Sequence, residues 1–295
     1  MRILLCTDGS PHGQAALRIG AALATGSTEP AMLLGVAERP EDRPPVERAL
    51  QEGETWLAGA PAPRTKVRVG HAAEQILNEA ASGEYDLLVV GTRGRQGITR
   101  FLLGSTAERI ARQSETPVLL VQGGRDAAGR ILACTAGGEP GLAAVALAGR
   151  VAGLTGARVT VLHVMSQLMG SPVPAPAGPL QVMPQTPAPC DVPGAQADDL
   201  DATAEQLMDG DTWEGAHLRE ALSILAGMDV PGEARVRHGL VIDEIVGEIH
   251  EGDYDLVAVG SQPVEGWMRF LLNDVSQQII RCTDRPVLVA RTGGS

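Results

Sequence analysis

The stretch GTRGRQGITRFLLGST, residues 91–106, sets Gly91, Gly94 and Gly104 in one loop, with Ser105 and Thr106 directly behind the last glycine. Glycine lets backbone N–H groups come close to an anion and takes positive φ where a loop needs it. DLLVVG, before the loop, reads as a strand. STAERIARQS, after it, reads as a helix opened by Ser105 and Thr106. A helix N-terminus adds a favourable partial charge of about +0.5 to the donors that converge there. Two anion-contacting patches result, one at the strand end and one at the helix start. That arrangement suits a polyphosphate whose base is held elsewhere. The same residues also have a plainer use. Ser105 to Glu108 spells the capping box S-x-x-E, which selects serine without any ligand, and Gly91 can simply end a strand.

Residues 260–275, GSQPVEGWMRFLLNDV, align with this stretch without a gap, yet Gly94 is replaced by Pro263, Gly104 by Asn273 and Ser105 by Asp274. Proline removes an N–H and fixes φ. Aspartate still suits a helix cap, but it puts a fixed negative charge where phosphate would sit. At 4 Å and an effective dielectric near 20 that repulsion is about 4 kcal/mol. The second copy is expected to keep the fold and lose the anion.

The echo extends along the whole chain. At an offset of 128, RILLCTDGS (2–10) falls on RILACTAGG (130–138) and AMLLGV (31–36) on VTVLHV (159–164). At an offset of 169, EYDLLVVG (84–91) falls on DYDLVAVG (253–260) and TPVLLVQ (116–122) on RPVLVAR (285–291). The difference of 41 residues is an insertion between the second and third strands of the second copy. Each copy alternates short apolar runs with helical periodicities, the first helix opening on Ser10 as N-cap with Pro11 behind it. Such βα alternation predicts an α/β fold of two five-stranded, parallel, doubly wound domains with helices on both faces of the sheet. The boundaries expected are 1–126 and 127–295, with a Pro-rich, acidic insertion around 166–211. Its eight prolines between Pro172 and Pro193 predict a mobile or polyproline-like loop. The last strands, PVLLVQ and PVLVAR, are apolar sheet edges that invite pairing.

The 295 residues suffice for two such domains, and aromatic content of 2% leaves the cores to Ala, Val, Leu and Ile. A net charge of -12 argues against nucleic acid and anionic membranes as partners, although most of the surplus comes from eight carboxylates between Asp191 and Glu214. The start has too short an apolar run for a signal peptide, and no stretch reaches the ~18 apolar residues of a membrane span. A cytoplasmic location is expected. Cys6, Cys134, Cys190 and Cys282 form no CxxC pair and read as reduced core thiols. The six histidines lack H-E-x-x-H and read as surface or strand-end residues, and neither a P-loop lysine motif nor a G-x-S-x-G elbow is present. Arg93, Arg95 and Arg100 can rim the phosphates or be ordinary solvated charge.

The spacing G-x2-G-x9-G-S/T, with ILLCTDGS, LLGVAE and RFLLGSTAERIARQSETPVLLVQ around it, resembles the universal stress protein family, and both halves fit over nearly their whole length. The resemblance implies a tandem pair of Rossmann-like, adenine nucleotide alpha hydrolase-like domains with strand order 3-2-1-4-5. It also implies ATP as ligand, with Mg²⁺ held mainly by the nucleotide. By that resemblance Asp8 contacts the adenosine and Val36 offers backbone hydrogen bonds to the adenine. Val90 and Gly91 pass under the ribose, while Arg93 and Gly94 approach the phosphates. Gly104, Ser105 and Thr106 bind phosphates through N–H and hydroxyl groups. The family has proline where this chain has Cys6, and in the second half Ala136 stands in place of Asp8. The function implied is an ATP-binding stress-response regulator with nucleotide in the N-terminal half only. The alternatives are a slow ATPase or autophosphorylating enzyme, or a structural pseudo-dimer that binds nothing. In the family single domains pair through the last strand, so the two halves are expected to pair within the chain, with a homodimer of whole chains open.

Overall fold

The computed structural model describes residues 1–92, 103–122, 128–165, 202–263, 270–271 and 274–292. The first half runs β1 (Ile3–Thr7), α1 (Pro11–Thr25), β2 (Met32–Ala37), a 3₁₀ turn (Pro40–Asp42), α2 (Arg43–Trp56), β3 (Arg64–Val69), α3 (Ala72–Ser82), β4 (Leu87–Gly91), α4 (Ser105–Gln113) and β5 (Val118–Val121). The second runs β6 (Arg130–Thr135), α5 (Gly138–Thr155), β7 (Arg158–Met165), α6 (Ala204–Asp209), α7 (Trp213–Ala226), β8 (Gly232–His238), α8 (Val241–Glu251), β9 (Leu256–Pro263), β10 (Phe270–Leu271), α9 (Asp274–Cys282) and β11 (Val287–Arg291).

One sheet carries both halves, in the order β3-β2-β1-β4-β5-β11-β9-β6-β7-β8. Each half therefore has the 3-2-1-4-5 order, and the second is the mirror of the first along the sheet. Pairing within a half is parallel except for the short β10 on β9. At the centre β5 and β11 run antiparallel, with Val118 opposite Val289 and Leu120 opposite Val287. Last strands that meet this way hide each other's open edges. The inner strands are buried on both faces, which is why they read as continuous apolar runs, whereas the edge strands β3 and β8 are exposed or half-buried. One apolar layer lies under α1, α2, α5 and α7 and the other under α3, α4, α8 and α9. Gly26, at the end of α1, leaves no room for a Cβ beside the Leu154 carbonyl on α5, so the halves also touch through these helices.

Ser10 caps α1 as its position implies, accepting from Gly13 N–H at 3.1 Å, with Pro11 as the first helical residue. The insertion departs from expectation at its C-terminal end. The Pro-rich part, 166–201, lies outside the described residues. Past it, α6 is a helix rather than loop, started by a Thr203/Gln206 capping box and anchored by buried Ala204 and Leu207. The prolines end at Pro193, and nothing in TAEQLMD opposes a helix once a capping box is in place. Cys6 and Cys134 are buried free thiols as expected, and burial first, with a nearby carboxylate second, pushes Cys134 up to about 12. Cys282 corrects the reading of core thiols. It ends α9 and is exposed. Cys190 lies outside the described residues. Among the described residues no helix is long and apolar enough to cross a membrane.

A buried ion cluster occurs twice at the 169 offset. In the first half Glu79 on α3 accepts from Lys66 at 2.8 Å, Arg68 at 2.6 Å and Tyr85 at 3.3 Å. In the second Glu248 on α8 accepts from Arg235 at 3.0 Å, Arg237 at 2.9 Å and Tyr254 at 2.7 Å. The clusters pin α3 to edge strand β3 and α8 to edge strand β8. Burial pushes both carboxyls up. Hydrogen bonds outweigh it, from Lys66 and Arg68 on Glu79 and from Tyr254 and Arg237 on Glu248, and hold both below the usual carboxylate range. A folded pKa below the unfolded one gives stability that is complete above about pH 4.3 and is lost as pH falls through the folded values. The urea midpoint is thus expected to hold between pH 6 and 5 and to drop below about pH 4.5. A Glu79→Gln, Glu248→Gln double variant should flatten that drop. An unchanged acid limb in the double variant would contradict this assignment.

Candidate functional site

In the first half the chain passes from β1 to β2 and β3 on one side, then returns to β4 on the other. The strand order reverses between β1 and β4, and such a switch point opens a crevice beyond the strands' carboxyl ends. Asp8 stands there, half-buried, one residue past the end of β1. Its Oδ1 accepts from Ser10 N–H at 2.9 Å while Thr7 Oγ1 accepts from Gly9 N–H at 3.1 Å. The left-handed φ of +76° at Gly9 makes this turn possible, and the close Pro45 carbonyl leaves no space for a side chain. Asp8 is thereby fixed by its own turn, and its Oδ2 has no protein hydrogen bond among the described residues. Val36, buried, lies one residue beyond the last β1–β2 pair, Thr7 opposite Gly35. Val90, buried, and Gly91, half-buried, close β4.

The N-terminus of α4 differs from the capping box that S-x-x-E predicts. Gly104, not Ser105, is the N-cap residue, and no side chain caps the helix. Gly104 N–H donates to Thr92 O at 2.8 Å and its carbonyl accepts from Glu108 N–H at 2.9 Å. That bond to Thr92, just past β4, starts the helix one residue earlier than the box requires. Glu108 turns instead to Arg112 at 3.2 Å. Ser105 is therefore the first helical residue, exposed, with a hydroxyl that caps nothing. The N–H groups of Ser105, Thr106 and Ala107 are the orphan donors of this helix end. Gly104 itself offers no free N–H. Arg93, Gly94, Arg95 and Arg100 lie outside the described residues.

The second half keeps the frame, with Val164, Val259 and Gly260 at the positions of Val36, Val90 and Gly91, and changes the turn after its first strand and the segment after its fourth. β9 continues three residues past Gly260 and pairs with β10, Pro263 opposite Phe270. Asp274 takes the first helical position of α9, as Ser105 does in α4. Ala136 replaces Asp8, and the following turn has left-handed Gly137 (φ +93°) and Gly138 (φ +68°) with no side-chain cap on α5. Protein side chains then cover the strand ends. A Cβ on Gly137 would lie 2.8 Å from the Trp213 ring, and that ring meets His163 edge-on at 5.6 Å. His217 Nε2 lies 2.6 Å from Thr135 Oγ1, and His163 Nδ1 lies 3.1 Å from Thr135 O. Burial first, with a neighbouring histidine adding to it, pushes both imidazoles down towards the neutral form. His217, 7% exposed inside α7, corrects the expectation of surface or strand-end histidines, while His163, 5% exposed, lies two residues before the end of β7. The legible signal was the change of Gly35 to His163. In the first half Gly35 lets Val46 and Leu50 of α2 lie against β2, and an imidazole there needs a new arrangement.

Gly91 has a packing duty as well. A Cβ there would stand 2.6 Å from the His12 backbone, and one on Gly260 would stand 2.2 Å from the Pro140 carbonyl. Both glycines let β4 or β9 touch the first turn of the neighbouring helix. Gly91→Ala and Gly260→Ala should each destabilise by about 1–3 kcal/mol, since backbone must move to make room. Thermal melts of both variants check this. An unchanged melting temperature in Gly91→Ala would contradict its packing duty.

Comparison with known proteins agrees with this geometry. The family model described as the universal stress protein family matches residues 1–122 and again 128–291. A universal stress protein of Thermus aquaticus is 29% identical over 133 residues, 41% of this chain and 97% of that protein. One of Mycolicibacterium smegmatis is 31% identical over 134 residues, 41% of this chain and 45% of that protein, so the match spans less than half of the latter's length. The crystal structure of a universal stress protein from Archaeoglobus fulgidus superposes with a TM-score of 0.66 at 19% identity, covering 99% of this chain and 98% of that one.

Proposed function

This chain belongs to the universal stress protein family, and on that premise we propose that it is a cytoplasmic, ATP-binding regulatory protein with one nucleotide site, in the N-terminal half. The observation that carries the reading is the pairing of an open α4 N-terminus with the fixed Asp8 turn across the β1/β4 switch point. The N–H groups of Ser105, Thr106 and Ala107, without a partner among the described residues, and the Ser105 and Thr106 hydroxyls suit the phosphates. Asp8 Oδ2 suits a ribose hydroxyl or adenine amine, and Val36 lies where a base could bond to backbone. Arg93 and Gly94 complete the phosphate loop in this reading. In this reading Mg²⁺ is held mainly by the nucleotide's own phosphates.

So read, the crevice binds nucleotide rather than turning it over fast. Phosphoryl transfer needs a base or water-positioning group near the transferred phosphate, and Asp8 lies on the adenosine side. Occupancy is then the signal. It is registered at α4, and the two halves, joined within the chain through β5 and β11, present that state to a partner. A turnover assay with Mg·ATP separates this from an enzyme. Stoichiometric occupancy without steady release of ADP or AMP is expected, and sustained release would overturn the binding-module reading.

A further inference from the structure

We propose that Arg291, in the C-terminal half, is a positioning residue for the phosphate site of the N-terminal half; this rests on the nucleotide reading above. The residue after β5 and the last residue of β11 are equivalent positions, Gln122 and Arg291, at the 169 offset. Each reaches across the centre of the sheet to the other half's helix. Gln122 Nε2 donates to Ile280 O of α9 at 2.5 Å, and Arg291 Nη2 donates to Ala111 O of α4. Ile280 and Ala111 are again equivalent positions, each among the last carbonyls of its helix. The carbonyl one residue earlier is already satisfied in both, by Ser114 N–H on Ile110 and by Thr283 N–H on Ile279. The two halves thus exchange C-terminal caps, a closed reciprocal pair.

The exchange is unequal in charge, and the inequality follows the site. The neutral cap goes to α9, whose first residue is Asp274. The cationic cap goes to α4, whose first residue is Ser105 and whose N-terminus holds open donors. A cation at the C-terminus and an anion at the N-terminus both align with the helix macrodipole, so α4 is braced from behind for a phosphate in front. Arg291 is only 8% exposed, and burial pushes its guanidinium down to about 9, still charged at neutral pH. Its Nη1 donates to Ser261 Oγ at 2.8 Å, and that hydroxyl donates to Ala290 O at 2.6 Å. The guanidinium is therefore held by the C-terminal half and offered to the N-terminal one. A half that has lost its own ligand site acquires a reason to be kept.

The test uses the full chain with Arg291→Met, which removes donor and charge, and Arg291→Gln, which copies Gln122 and keeps a donor. Affinities for Mg·ATP and for adenosine are measured side by side, because adenosine does not reach α4. Arg291→Met is expected to weaken Mg·ATP about tenfold, with adenosine unchanged and Arg291→Gln in between. If the Met variant does not fold, the Gln variant's selective loss of ATP affinity decides. Equal losses for ATP and adenosine, or no loss, would overturn the proposal. Amide hydrogen exchange of residues 105–113 without nucleotide keeps the two readings apart. If the parent protein binds no ATP, the nucleotide reading fails and the positioning role falls with it. Faster exchange in the Met variant would then leave Arg291 as a brace of α4 alone, and unchanged exchange would remove the brace as well.

Discussion

Ser105→Asp is expected to abolish Mg·ATP binding while leaving the protein at least as stable as its parent. The substitution copies Asp274, the first residue of α9, onto the first residue of α4. A carboxylate in the first turn of a helix is favourable by about 0.3–1 kcal/mol, so the melting temperature should hold or rise. The same charge 4 Å from a phosphate is unfavourable by about 4 kcal/mol at an effective dielectric near 20, which is a loss of several hundredfold or more. Ser105→Asn, neutral and similar in size, should stay within about tenfold of the parent. Stability and binding thus move in opposite directions, which a general packing defect cannot produce. Calorimetry and a thermal melt of the two variants check it, and retained ATP binding in Ser105→Asp would place the phosphates elsewhere.

The largest stability effect is expected at Glu248. Its side chain is 3% exposed and accepts from Arg235, Arg237 and Tyr254 together. Glu248→Ala leaves two guanidinium groups side by side against buried surface and a buried phenol without its acceptor. Removing one partner of a buried ion pair destabilises by about 3–5 kcal/mol. The low end applies because Arg235 keeps 46% of its side chain in solvent. Glu79→Ala should cost less, since Arg68 is more exposed than Arg237, 29% against 24%, and the Tyr85 bond is longer, 3.3 Å against 2.7 Å. Urea denaturation of both variants tests the order. An equal or larger loss at Glu79 would contradict the account of what holds each helix to its edge strand.

These clusters show what was legible in the sequence and what was not. The strands were, because a buried parallel sheet writes continuous apolar runs, and duplication supplied a second copy of each. The Ser10 cap followed from local chemistry, whereas the 3-2-1-4-5 order followed from the resemblance to the universal stress protein family. The start of α4 did not, because S-x-x-E satisfies a capping rule and only the tertiary bond from Gly104 to Thr92 shifts the helix by a residue. The ion clusters were written as paired basic residues on the third strand and a Glu six residues before a Tyr. Nothing in a linear reading says that these meet. His217 was misjudged for the same reason, as its partner Thr135 is distant in sequence and adjacent in space. Arg291 and Gln122 needed the pairing of β5 with β11 before either had a target.

The central claim is that one half holds nucleotide and the other cannot. It is tested most directly by calorimetric titration of Mg·ATP into the nucleotide-stripped full chain, read for stoichiometry before affinity. One nucleotide per chain is predicted, abolished by Ser105→Asp and unchanged by Asp274→Ser, because Trp213 and His217 still cover the second crevice. Two per chain, or binding that survives Ser105→Asp, would contradict the account. No binding at all would mean that the open end of α4 serves something other than ATP.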